Sequence, residues 1–168
     1  MSQQTERDQL IESLGRARFF LRNTTRELSD VQAAARTTAS ELTLGGLIKH
    51  VTLVEGRWAR FMVEGPTAMP SHQDEATRTM WVNGFRMLPG ETLSGLLDDY
   101  AAVSAATDEL IRTVDLDAEQ PLPHAPWHQP GARWSARRVV LHLVAETAQH
   151  AGHADIVRES LDGARSMG

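Results

Sequence analysis

Apolar residues recur at helical spacing in four long stretches of this chain, and each stretch is bounded by residues that start or stop helices. The first runs from about Thr5 to Ser29, where Leu10, Ile11, Leu14, Ala17, Phe20 or Leu21, and Leu28 trace one face and arginines mark a solvated opposite face. The second, about Leu44 to Val63, turns Leu44, Leu47, Ile48, Val51, Val54, Trp58, Phe61 and Met62 inward. Thr92 begins the third, which carries Leu93, Leu96, Leu97, Tyr100, Val103, Ala106, Leu110 and Ile111 and ends near Val114. The last extends from Ser135, a good N-cap, to Leu161, with Val139, Val140, Leu143, Val144, Ile156 and Val157 at helical spacing and Gly163 as a stop.

Between these stretches the pattern breaks. Gly65-Pro66 and Pro70 end the second helix, and Pro89-Gly90 introduces the third. Glu75 to Leu88 reads as a short helix carrying Met80, Trp81, Phe85 and Leu88, either a packing device or a lid. Asp115 to Arg133, with Pro121, Pro123, Pro126 and Pro130, is too rich in proline for helix, and Trp127 and Trp134 are placed to fold it over one end of the molecule. The predicted architecture is all-α: a single domain over residues 1–168, built as an up-and-down or crossover four-helix bundle with a short extra helix or lid between helices 2 and 3.

Composition narrows the function. The 168 residues can bury a sizeable core, and the formal net charge of -5, with both signs interspersed, favours neither nucleic acid nor an anionic membrane as partner. Cysteine is absent, which excludes disulfides, a Cys-ligated zinc and a Cys nucleophile, so any thiol chemistry must use a thiol from outside. The polar start and the lack of an apolar run near the roughly 20 residues of a membrane span lead us to expect a cytoplasmic protein.

The last helix holds the unusual polar content. His142, Glu146, His150 and His153 step by four, four and three residues and share one stripe of the helix. Taken alone, His50 reads as a core imidazole; beside the last helix it becomes a third ligand approaching Glu146 and His150. Two imidazoles and one carboxylate bind zinc, nickel or iron and leave positions open for water or substrate, the catalytic pattern. His153 could replace Glu146 or act as a base beside the metal, and His142 could bind or orient a ligand. Thr43 and Ser135 each precede a histidine by seven residues, so His142 could also be only the structural counterpart of His50. His124 and His128 lie in the proline-rich connector, where their spacing does not converge two ligands, and Asp155, Arg158 and Glu159 read as charge pairs on a solvated face.

The segments GGLIKHVTLVEGRW and ETAQHAGHADIVRESLDG resemble the two signature segments of the DinB-like superfamily of four-helix metal-binding proteins. The resemblance extends over the whole chain, and the glutamate in the triad is similar to that of its mycothiol-dependent branch, which includes mycothiol S-transferases and maleylpyruvate isomerase. Carried over by position, the metal ligands it implies are His50, Glu146 and His150. It implies a metal-dependent thiol S-transferase or thiol-dependent isomerase, in which a zinc-type divalent metal holds mycothiol or a similar thiol as the thiolate that attacks an electrophilic small molecule. His153 is then a candidate for proton transfer or substrate contact, Arg158 a candidate for an anionic group of the thiol or substrate, and a homodimer is expected. The competing expectations are a non-catalytic metal-binding bundle and a metal-dependent hydrolase that uses bound water.

Overall fold

In the computed structural model, which describes residues 3–69, 75–125 and 128–166, four long helices form the body of the molecule. They are α1 (Gln3–Asn23), α3 (Leu44–Glu64), α5 (Leu93–Thr113) and α6 (Ala136–Asp162). Their starts follow from side-chain caps: Thr43, Thr92 and Ser135 accept hydrogen bonds from the amides of Gly46, Gly95 and Arg138, which satisfies donors that the first helical turn leaves free. Gly163, in the left-handed region at φ 79°, closes α6. Pro70, Pro126 and Trp127, to which the sequence reading gave roles, lie outside the described residues.

Helix α1 packs on α6, α6 on α3, α3 on α5, and α5 returns to α1. The consecutive helices α1 and α3 therefore occupy opposite corners, and of the two predicted topologies the bundle takes the crossover one. Two apolar clusters give the directions. At one end Leu10 and Leu14 meet Phe61, Ile111, Val139 and Leu143; at the other Leu21 meets Leu44, Leu47, Tyr100 and Val157. Helices α1 and α6 thus run one way and α3 and α5 the other, up-down-down-up. Complete burial of Leu14, Leu21 and Leu47 stabilises the fold by roughly 1.5–3 kcal/mol per side chain.

A polar layer separates the clusters. Arg18 of α1 reaches across the diagonal to Glu55 of α3 through two hydrogen bonds, Nε to Oε2 at 3.1 Å and Nη2 to Oε1 at 2.6 Å, and donates from Nη1 to Asp108 of α5 at 2.8 Å. Glu55 is completely buried and Arg18 is 5% exposed. Arg18 thus departs from the solvated arginine face expected of the first helix. Burial works against its charge, but the bonds to Glu55 and Asp108 outweigh it and strengthen the guanidinium's hold on its proton.

The shorter elements differ from expectation for local reasons. Helix α1 stops at Asn23 instead of Ser29 because the hydroxyls of Thr24 and Thr25 bond back to the carbonyls of Leu21 and Arg22, and Glu27 then takes φ 60°. Ser29 and Gln32 form a capping box that starts the one-turn helix α2 (Asp30–Ala33). Helix α4 (Glu75–Asn83) is the expected extra helix, shorter by its last turn. The described residues of the proline-rich connector are not helical, as its composition required. It does form a small antiparallel ladder, β1 (Glu119–Pro121) with β2 (Arg133–Ser135), which the sequence did not announce. Ile156, expected inward, is 63% exposed. Among the described residues no helix is long and apolar enough to cross a membrane.

Removing one member of the buried pair leaves the other charge uncompensated. Glu55→Ala should lower the unfolding free energy by about 3–5 kcal/mol in urea titration, while the double variant Arg18→Met with Glu55→Leu should lose less than Glu55→Ala alone. A single variant as stable as wild type would show that the layer has no such role.

Candidate metal centre

Antiparallel packing of α3 against α6 brings the residues of the stripe to His50. The Glu146 carboxylate and His150 imidazole lie one turn apart on α6, with His150 Nε2 at 3.2 Å from Glu146 Oε1. From α3, His50 Nε2 stands 3.5 Å from the same oxygen. One donor atom from each of the three residues falls within 4.8 Å of the others. Donors about 2.0–2.1 Å from a tetrahedral metal stand roughly 3.3 Å apart, so the separations of 3.2 and 3.5 Å suit a shared ion. His142 and His153 are outside this cluster.

The protonation states suit metal binding as well. The hydrogen bond to His150, then that to His50, holds the Glu146 carboxyl well below the usual carboxylate range against the opposing effect of burial. Burial lowers the pKa of His50; Glu146 pulls it back up, while His150 and Arg57 push it down. The result is a net neutral imidazole beside an ionised carboxylate, the form in which both coordinate. Burial likewise lowers His142.

Close packing fixes the orientation of His50. Its ring stacks on Phe85 at 3.9 Å and 19°, and this contact depends on Gly46, where a Cβ would fall 1.9 Å from the Phe85 carbonyl oxygen. The segment after α4 can lie against the first turn of α3 only because that position has no side chain. Beyond the triad, His50 and Glu146 open onto a cavity of about 430 Å³ walled by Trp58, Trp81, Trp134, Met69 and His142. Trp58 and Trp134 stack at 4.9 Å and 18°, and His142 meets both edge-on at 5.0 and 5.3 Å. A wider recess of about 970 Å³ beside α1 and α5 holds none of the triad.

The remaining candidates separate clearly. His142 lines the cavity one turn before Glu146. His153 is half-buried, with its Nδ1 at 3.4 Å from Nδ1 of His150, and does not line the cavity. Arg158, expected at an anionic group or on a solvated face, is 5% exposed and turned elsewhere. Its Nη1 donates to the carbonyls of Thr24 and Arg26 at 2.8 Å, and its Nε to Asp162 at 2.9 Å, so it fastens the turn after α1 to α6. His124 is exposed; His128 lines the cavity with Nδ1 at 3.1 Å from the Pro123 carbonyl. The sequence reading missed Arg57, which lines the cavity at the same helical stripe as His50 and Val54. The signal was there in the spacing, four and then three residues, but not in the residue type.

A family model described as Mycothiol-S-transferase matches residues 9–163. A conserved protein of Enterococcus faecalis, known from its crystal structure, is similar in fold, with a TM-score of 0.66 at 14% identity over 94% of this chain and 97% of that one. No curated protein matches the sequence.

If the triad holds a metal, His50→Ala and His150→Ala should each purify with little of the ion that the wild type carries, whereas His124→Ala should keep it, as read by elemental mass spectrometry on untagged protein. Equal metal in all three would remove the site.

Proposed function

This chain belongs to the mycothiol S-transferase family, and from that premise we propose that it transfers mycothiol, or a similar low-molecular-weight thiol, to an electrophilic small molecule, with His50, Glu146 and His150 holding a divalent metal ion. The observation that carries this reading is the convergence of those three donors, two of which, His50 and Glu146, line an aromatic-walled cavity. We take zinc as the ion in preference to nickel or iron, since a mixed imidazole and carboxylate set with open positions is a common zinc arrangement. When bound, such an ion lowers the pKa of a thiol and keeps it as thiolate, the nucleophilic form.

The chain's own residues supply the rest. Glu146 contributes one negative charge, so a divalent ion leaves the site with a single positive charge that one thiolate neutralises. With no cysteine in the sequence, no internal thiol competes for that place. Indole rings at Trp58, Trp81 and Trp134 wall the cavity with apolar surface that excludes water from the reacting atoms and suits a flat electrophile. The new bond joins sulfur to the electrophilic carbon. The displaced electron pair leaves with a leaving group or, in addition to a double bond, takes up a proton. His142, which lines the cavity and which burial keeps neutral, is in our reading the group that takes the proton released by the thiol and returns it to the product.

His153 has a different part in this reading from the one first expected. Its contact with Nδ1 of His150 suits a positioning residue that fixes the ring and tautomer of a ligand. Such residues typically change metal affinity about 10–100-fold.

The deciding assay is conjugation of 1-chloro-2,4-dinitrobenzene by zinc-reconstituted protein, in which turnover should require both mycothiol and metal. Metal-dependent hydrolysis of ester substrates without any thiol would favour the hydrolase, and no turnover with any thiol the non-catalytic bundle. In the same assay His153→Ala should need roughly 10–100-fold more free zinc for half-activity yet recover its rate at saturation. A rate loss that persists at full metal occupancy would make His153 the proton-transfer group.

A further inference from the structure

Among the described residues, Arg57 is the one cation of the cavity wall outside its histidines, and its partners are weak. His50, Val54, Arg57 and Trp58 share the stripe of α3 that faces the cavity, and two helical turns set Arg57 roughly 10 Å along the axis from His50. Its guanidinium lies over the Trp81 ring, with Cζ at 4.9 Å from the centroid, and Nη2 donates to the Met80 sulfur at 3.0 Å. A π face and a thioether are poor complements to five N–H donors. Among the described residues no carboxylate pairs with Arg57, whereas Arg18, Arg60, Arg137 and Arg158 each have one. Glu146, the carboxylate of the cavity wall, is engaged by the two imidazoles.

A half-buried cation in an aromatic cavity, fixed by stacking and without a counter-charge, is built to meet an anion that arrives with a ligand. Mycothiol, an N-acetylcysteinyl amide of a pseudodisaccharide, has no ionised group besides its thiol, so the complement of Arg57 belongs to the other substrate. We infer that Arg57 is a specificity-determining residue and that the electrophile is a planar molecule carrying a carboxylate, its reacting carbon toward His50 and its carboxylate on the guanidinium. This deepens the S-transferase reading and rests on it for the word electrophile, but the anion subsite can be tested without turnover. For a chloro-dinitrobenzoate the reaction balances simply: the thiolate sulfur bonds to the ring carbon that bears chlorine, and chloride leaves with the bonding pair.

The test is calorimetric titration of zinc-loaded protein with 3,5-dinitrobenzoate and with its methyl ester, neither of which has a leaving group on the ring, the ester being checked as intact after the titration. Wild type should bind the acid roughly tenfold more tightly than the ester. Arg57→Gln, with its metal content unchanged, should lose that preference while binding the ester within about twofold of wild type, and Arg57→Lys should keep part of it. Equal affinity of wild type for acid and ester, no binding of either, or an equal loss of both in Arg57→Gln would overturn the inference. Conjugation of 4-chloro-3,5-dinitrobenzoate with mycothiol is measured separately. Acid-selective binding without conjugation would sink the S-transferase reading and leave the anion subsite standing.

Discussion

One buried charge organises this bundle. Arg18 must place its guanidinium where Glu55 and Asp108 can both reach it, in a region from which water is excluded, and only one axial alignment of α1, α3 and α5 achieves that. Such a pair is a poor source of net stability, because desolvation opposes the attraction. Its contribution is register. An apolar interface tolerates a shift of one helical turn far better than a bidentate ion pair does. Since α1 also packs along α6, alignment of α1 with α3 carries over to the interface between α3 and α6. A shift of one turn there, roughly 5.4 Å, would take His50 out of reach of Glu146.

The surroundings of the triad show the same economy of constraint. Gly46 admits the Phe85 backbone, Phe85 stacks on His50, and the short ladder before α6 delivers Trp134 onto Trp58 and His142. Each contact involves a segment that is irregular or barely regular, while the triad stands on two long, regular helices. The donors therefore sit on a fixed scaffold, and the walls that shape what can approach them come from connectors.

Much of this was legible in the sequence, and the exceptions have physical causes. Long amphipathic helices announce themselves by period and caps, so α3, α5 and α6 begin and end within a residue or so of expectation. The end of α1 was hidden because two threonines compete for helical carbonyls, a choice that composition alone does not reveal. The strands were hidden because three residues hold no period. The proximity of Glu146 and His150 could be read from a spacing of four on one helix, whereas His50, by its apolar neighbours a core imidazole, joined them only through the last helix and a family resemblance. Charged residues were the hard cases. Arg18, Arg57 and Arg158 look alike on helical wheels, yet one is a core ion pair, one faces a cavity and one ties down a turn. What distinguishes them is what packs on top, and that is decided by segments far away in the chain.

The central claim is that His50, Glu146 and His150 present a metal ion to an external thiol. X-ray absorption spectroscopy of the zinc-loaded protein, before and after addition of mycothiol, tests it most directly. The account predicts nitrogen and oxygen scatterers alone at first, and one sulfur scatterer at about 2.3 Å after the thiol is added. A spectrum that mycothiol leaves unchanged would contradict it.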